Sequence, residues 1–233
     1  MQTSIAENIQ SVWNKIDAAC KRAGRDASEV TLIAVTKTVS AQTAQLAIDA
    51  GICDIGENRV QEYQNKVNHI DSQINVHFIG QLQRNKVKYI VSDVACIHSV
   101  DRLSLAQEIQ RRAQGVGRCI DVLIQVGFDD DENRGGVKEA ELFDLACQIE
   151  KMENLHLCGL MCVAPVNADE GQTRACFRQL RILRDKLSAQ LGRTLPHLSM
   201  GMSCDYELAV EEGATFVRVG TTIFGARNYE VRA

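Results

Sequence analysis

Residues 31–56 read Thr31-Leu-Ile-Ala-Val-Thr-Lys-Thr-Val-Ser-Ala-Gln-Thr-Ala-Gln-Leu-Ala-Ile-Asp-Ala-Gly-Ile-Cys-Asp-Ile-Gly56, and their pattern decides the fold. The opening Thr31-Leu-Ile-Ala-Val-Thr36 is a short, β-branched apolar run, the composition of a strand buried on both faces. Residues 41–50 carry a helical pattern that Gly51 ends, and Cys53-Asp-Ile55 is a second short strand. Strand, helix and strand at this spacing imply two parallel strands joined by a helical crossover.

The same beat runs outward to the end of the chain. Strands are expected at 31–36, 53–55, 76–79, 95–98, 119–126, 157–163, 197–199 and 216–219. The intervening helices are expected at 41–50, 60–68, 84–91, 101–113, 138–151, 170–190 and 206–212, with Asp101 as an N-cap. Eight units of about 26 residues fit a closed (β/α)8 TIM barrel. An open doubly wound sheet competes, but no G-x-G-x-x-G follows the first strand. Upstream, Ile5, Ile9, Val12, Trp13, Ile16 and Ala19 mark an amphipathic helix over 3–23, stopped at Gly24. We therefore expect an α/β chain with one domain, 1–233, in which residues 1–24 add a helix packed on the barrel.

Composition excludes several function classes. The 233 residues are 45% hydrophobic and 24% charged, with 16 Gly and 2 Pro, which excludes a disordered or collagen-like chain. A net charge of -4 gives no basic footprint for nucleic acid. No apolar run is long enough for a membrane span, and residues 1–19 lack the pattern of a secretory signal, so a cytoplasmic protein is expected. The nine cysteines are odd in number and form no C-x-x-C, which reads as free buried thiols. Asp129, Asp131 and Asn133 start like a calcium loop. Arg134 stands where that loop needs glycine and Ala140 where it needs glutamate, so we expect no metal there. A closed barrel with no visible apolar stripe on its surface reads as a monomer.

Active sites of such barrels lie beyond the C-terminal ends of the strands. Lys37 directly follows the first strand, so its stem emerges at the barrel mouth. Desolvation favours a neutral lysine amine, which can form a Schiff base with an aldehyde; the competing reading is a surface lysine at a strand end. After the seventh and eighth strands, Ser199, Gly220 and Thr221 offer the small residues and donors of a phosphate site, or of ordinary tight turns. Arg218 lies within the eighth strand, where an inward charge needs a ligand or a partner and an outward one would lie among helices. His77 reads as a core histidine rather than a catalyst. A Schiff-base lysine opposite a phosphate site fits pyridoxal 5′-phosphate; a class I lysine aldolase of a phosphorylated substrate fits the same features.

Six segments carry a family resemblance: Leu32-Ile-Ala-Val-Thr-Lys-Thr38, Gly56-Glu-Asn-Arg-Val-Gln-Glu62, His77-Phe-Ile-Gly80 with Leu82-Gln83 and Asn85-Lys86, Gly159-Leu-Met161, Leu198-Ser-Met-Gly-Met-Ser203 and Val217-Arg-Val-Gly-Thr-Thr-Ile-Phe-Gly-Ala-Arg227. Together they resemble, in order, the YggS/PROSC family of pyridoxal phosphate homeostasis proteins. The resemblance implies a barrel like the N-terminal domain of alanine racemase. By it, Lys37 holds the cofactor covalently as an aldimine. Ser199, Gly220 and Thr221 lie at its phosphate, Arg218 faces its pyridine nitrogen, and Asn58 lies in its pocket. It further implies a non-catalytic carrier acting in vitamin B6 and amino-acid homeostasis, with apo-enzymes that use the cofactor as partners. The alternative of an amino-acid racemase or decarboxylase needs a second domain, for which the barrel leaves no room. Gln81, Asn133-Arg-Gly-Gly136 and Cys204 depart from the family pattern, so no role is carried over to the loop around Arg134.

Overall fold

The computed structural model describes residues 4–71, 73–128 and 135–225. The calcium-like stretch at 129–134, with Arg134, and the end of the last motif at 226–227 lie outside the described residues.

Helix α1 (Ile5–Ala23) precedes eight strands. These are β1 (Thr31–Val35), β2 (Asp54–Glu57), β3 (Asn75–Phe78), β4 (Cys96–Val100), β5 (Ile120–Gln125), β6 (Leu155–Met161), β7 (His197–Ser199) and β8 (Phe216–Val219). Between and after them lie α2 (Ala41–Asp49), α3 (Val60–Val67), α4 (Leu103–Gly115), α5 (Glu139–Ile149), α6 (Glu170–Leu191), α7 (Tyr206–Glu211) and α8 (Thr221–Phe224). The strands are parallel and pair in chain order, and β8 returns to β1 with Phe216 beside Thr31, closing the barrel.

The alternation of side chains along each strand divides the apolar residues between two sides. On β1, Leu32 and Ala34 join the large cluster under the helices, while Ile33 belongs to a separate interior cluster with Cys96, Leu123, Cys158, Met161 and Phe216. Two of these, Cys158 and Met161, are three apart on β6, which strict alternation forbids. The pairing shifts there: Val122 pairs with Leu157 but Leu123 pairs with Gly159, so Cys158 is an extra, bulged residue.

Helix α1 starts with a capping box formed by Ser4 and Glu7 and ends at Gly24, whose left-handed φ of 66° suits glycine. Its buried stripe, Ile9, Val12, Ile16, Ala19 and Cys20, has helical spacing. Polar bonds tie it to the far end of the chain: Asn8 Nδ2 donates to Ile223 O, and Arg25 Nη1 donates to Val210 O and Ala214 O.

Some expectations need correction. Asp101 does not cap α4: Arg102 occupies the cap position without a capping bond, and Asp101 instead accepts a hydrogen bond from Arg102. The segment expected as a helix at 84–91 is a tighter 3₁₀ turn, Arg84–Tyr89, whose apolar residues are too few to hold a full α-helical stripe. All nine cysteines are free and five are buried, while Cys147 is half-buried and Cys53, Cys119 and Cys204 are exposed. No helix among the described residues is long and apolar enough to cross a membrane.

Candidate functional site

At the C-terminal mouth of the barrel, a cavity of about 420 Å³ opens between the loops after β1, β2, β7 and β8. Its polar lining is Lys37, Asn58, Ser203, Cys204, Arg218, Gly220 and Thr221, and its apolar walls are Val35, Ile79, Val163 and Met202. Five of the six residues singled out from the sequence thus meet in one hollow. Its size falls in the range of small-molecule sites.

Lys37 is held by its neighbours in the chain. Thr36 N donates to Gly56 O, and Thr36 Oγ1 donates to Glu57 Oε1 at 2.5 Å. Lys66 Nζ, on α3, donates to both Thr36 O at 2.5 Å and Glu57 Oε1 at 2.6 Å. Glu57 and Lys66 are 1% and 6% exposed, so this is an ion pair within the fold, not on its surface. Burial pushes the Glu57 carboxyl above its usual pKa, against the pull of the Lys66 ammonium and the Thr36 hydroxyl. On the other side, Thr38 takes a φ of 61°, rare for a β-branched residue, with its N–H donating to Glu62 Oε2 at 2.8 Å. Such strain costs on the order of 1–3 kcal/mol and gathers at functional positions.

The same network fixes Asn58, which follows Glu57. Its Oδ1 is buried without a hydrogen-bond partner, leaving a polar atom at the cavity for which a ligand donor is the natural partner. Gly80, after β3, lies so close that a Cβ there would sit 2.2 Å from Asn58 O. Because that contact is backbone, Gly80→Ala is expected to cost roughly 2–3 kcal/mol, lowering Tm by about 5–10 °C in a thermal melt.

Opposite, β8 brings Arg218 to the floor of the cavity and Gly220 and Thr221 to its rim. Arg218 is 4% exposed; Nη1 donates to Ser199 Oγ at 2.6 Å and Nη2 donates to Cys162 O at 2.9 Å. Burial lowers its pKa from the ordinary guanidinium value, yet a guanidinium stays charged in proteins. The loop after β7 is stitched to β8: Arg218 N donates to Gly201 O, and Gly220 N donates to Ser203 Oγ at 3.1 Å.

Ser199 is not on the cavity wall. It is fully buried beneath Arg218, accepting from it and lying 2.8 Å from His98 Nδ1. The position facing the rim is Ser203, which sequence reasoning quoted in a motif but did not single out. Gly201, with a φ of 90°, turns the loop between the two serines, and no periodicity carries across such a turn.

A larger hollow of about 910 Å³ adjoins the first over Met202, Ser203 and Cys204. Several of the charged groups along it are paired with one another, Arg22 with Glu211 and Glu207, and Arg174 with Glu211. Lys37, Asn58 and Arg218 all line the smaller cavity.

Residues 7–228 match the family model for the alanine racemase N-terminal domain. The chain is 43% identical over 224 residues to a pyridoxal phosphate homeostasis protein of Aquifex aeolicus, covering 96% of this chain and 98% of that one. It is 38% identical over 232 residues to the protein of that name from Escherichia coli strain K12, covering 97% of each. Among solved structures, PipY of Synechococcus elongatus, with PLP bound, superposes with a TM-score of 0.84 at 36% identity, covering 95% of this chain and all of that one.

Proposed function

Because this chain belongs to the alanine racemase N-terminal domain family, and within it to the pyridoxal phosphate homeostasis proteins, we propose that it binds pyridoxal 5′-phosphate and acts in the homeostasis of that cofactor. The observation that carries this reading is the convergence of Lys37, Asn58, Arg218, Gly220 and Thr221 on one cavity.

The residues present fit the group. Lys37 supplies the amine for the aldehyde carbon, and Asn58 Oδ1, buried and unpartnered, offers an acceptor on the same side. Val35, Ile79 and Val163 give apolar walls to a flat ring. Arg218 reaches the floor with two of its donors engaged by Ser199 and Cys162, and has further guanidinium donors that would face the ring nitrogen. Thr221, with the Gly220 backbone and the Ser203 hydroxyl, forms the phosphate end, where the first amides of α8 lack partners within their own helix.

When bound, pyridoxal phosphate supplies an aldehyde that condenses reversibly with amines and a ring that withdraws electrons. Arg218 decides how far the ring can do so. A guanidinium does not release its proton, so the ring nitrogen beside it stays unprotonated and the ring withdraws electrons weakly. Among the described residues, the cavity lining holds one titratable side chain besides Lys37 and Arg218, Cys204. Although Cys204 is exposed, partial desolvation of its thiol, with Asp205 adding to the effect, raises its pKa, so it is held as a thiol rather than a thiolate. This favours a carrier over a racemase or decarboxylase. Among the described residues the cavity is open to solvent, so an amine or an apo-enzyme could reach Lys37 and draw the cofactor off. Among the described residues the exposed large apolar side chains are Leu46, Tyr89, Leu103, Val116, Val166 and Ile182, spread over several elements, which supports a monomer.

The test is an absorbance spectrum of the purified protein after addition of pyridoxal phosphate, then borohydride reduction and peptide mass mapping. A visible band with a phosphopyridoxyl mass on Lys37 is expected, with no turnover across an amino-acid panel. A colourless protein that takes up no pyridoxal phosphate refutes the reading. Amino-acid turnover refutes the carrier role.

A further inference from the structure

A continuous hydrogen-bonded chain runs through the barrel interior, away from the cavity. Arg218 Nη1 is 2.6 Å from Ser199 Oγ, and Ser199 Oγ is 2.8 Å from His98 Nδ1. His98 Nε2 is 2.9 Å from His77 Nδ1, and His77 Nε2 is 2.9 Å from Asp54 Oδ1. Arg218, Ser199, His98 and His77 are buried, while the Asp54 side chain, on the first residue of β2, is 17% exposed. Asp54 therefore sits at the end of the barrel opposite the cavity, and the links come from β8, β7, β4, β3 and β2 in turn. Phe216 packs on the histidines, its ring centroid 5.4 Å from those of both His77 and His98, which keeps water from the links.

The chain has one consistent direction. Arginine can only donate, so Ser199 Oγ accepts from Arg218 and its own proton goes to His98 Nδ1. His98 then carries its proton on Nε2 and donates to His77 Nδ1. His77 in turn carries its proton on Nε2 and donates to the Asp54 carboxylate. Every link is made with both imidazoles neutral. The opposite order needs either His77 charged or the Asp54 carboxyl protonated, points two donors at Ser199 Oγ, and leaves the serine proton without an acceptor in a fully buried place. Burial, aided by the neighbouring His77 and Arg218, also holds the His98 pKa well below its usual value.

We propose that Ser199, His98, His77 and Asp54 form a one-way chain of hydrogen bonds that orients the Arg218 guanidinium from the far end of the barrel. They are positioning residues, since none but Arg218 touches the cavity. The Asp54 carboxylate polarises each link in the same sense and offsets part of the cost of burying the Arg218 charge. His77, Cys96 and His98 also lie close enough together to invite a metal ion. The 2.9 Å contact between the two ring nitrogens is a hydrogen-bond distance, shorter than the ~3.3 Å that two nitrogens keep around tetrahedral zinc with bonds of ~2.0–2.1 Å. The consequence for pyridoxal phosphate rests on the function proposed above; the chain itself does not.

Two measurements test it. In cofactor-free, ¹⁵N-labelled protein at pH 7, long-range ¹H–¹⁵N spectra are expected to show His77 and His98 as neutral rings protonated on Nε2. A proton on Nδ1 of either ring, an imidazolium, or stoichiometric metal in the purified protein overturns the proposal. The second measurement is the dissociation constant for pyridoxal phosphate in Asp54→Asn and Asp54→Leu. The asparagine oxygen still accepts from His77 but carries no charge and is expected to weaken binding about threefold, whereas the leucine, which removes the acceptor as well, weakens it about tenfold. Competition by inorganic phosphate, which reports on the other end of the cavity, is expected to be unchanged in both. Wild-type affinity in Asp54→Leu overturns remote positioning. If the wild-type protein binds no pyridoxal phosphate, the proposed function falls, and the ring protonation states still decide the chain.

Discussion

Lys37→Ala protein, mixed with pyridoxal phosphate and reduced with borohydride, is expected to carry no phosphopyridoxyl group at the barrel mouth. Covalent capture needs a nucleophilic amine beside the aldehyde, and Lys37 is the amine of the cavity. The substitution removes the bond and the positional advantage of a tethered reactant, weakening retention of the cofactor on the order of a hundredfold. The fold should survive, because the neighbouring Thr36, Glu57 and Lys66 contacts do not involve the Lys37 side chain. Gly220, Thr221, Ser203 and Arg218 remain, so residual binding should still discriminate pyridoxal phosphate from unphosphorylated pyridoxal. A titration of both compounds, with mass mapping of the reduced product, checks this. Wild-type yield of a reduced adduct in the variant, at any other lysine, would remove Lys37 from its assigned role.

The largest loss of stability is expected from Lys66→Met. The methionine fills the space of the lysine stem but leaves the Glu57 carboxylate buried with the Thr36 hydroxyl as its remaining donor. Breaking a buried pair from one side costs about 3–5 kcal/mol, which for a chain of this length lowers Tm by roughly 10–15 °C. The sign of the pH dependence follows from Glu57. Burial already raises its folded-state pKa, and Lys66 opposes that rise, so removing Lys66 raises it further. A carboxyl with a raised folded pKa takes up its proton more readily folded than unfolded, so stability is gained as pH falls through the folded value. The deficit of the variant relative to wild type should therefore be largest near pH 8 and shrink toward pH 5.5 in paired denaturation curves. A deficit that stays constant across that range would mean that Glu57 is not the group left uncompensated. The effect reaches the site because Thr36 and Glu57 immediately precede Lys37 and Asn58.

The βα alternation was legible because buried parallel strands are short, β-branched and apolar, and because Gly24, Gly51 and Gly213 punctuate the helices. Lys37, Arg218, Gly220 and Thr221 were legible because a closed barrel puts the ends of its strands at one mouth. Ser199 was misplaced for a reason of geometry. It belongs to the last position of β7, where the side chain turns inward, and the loop reverses at Gly201 before Ser203 comes to the rim. The chain of polar residues was not legible at all. His77 and His98 sit in separate strands, each resembling an ordinary core histidine, and only closure brings them to one another, to Asp54 on β2 and to Ser199 on β7. The bulge at Cys158 escaped for a related reason: an extra residue in a strand is defined by the partner it fails to match.

The attachment of α1 to the opposite end of the chain bears on how this protein is made. Asn8 bonds to Ile223, 215 residues away, and β1 closes the sheet only against β8. Contacts of such high sequence separation incur their loop-closure entropy late and slow the search for the native state. On the ribosome, α1 and β1 wait until the segment around β8 is made before they find these distant partners. Until then the apolar stripe of α1 and one edge of β1 stay open to water. The strand that closes the barrel, β8, also brings Arg218, Gly220 and Thr221, so barrel closure and assembly of the cavity are a single event. A half-made chain thus has neither a sealed sheet nor a place to hold a reactive aldehyde.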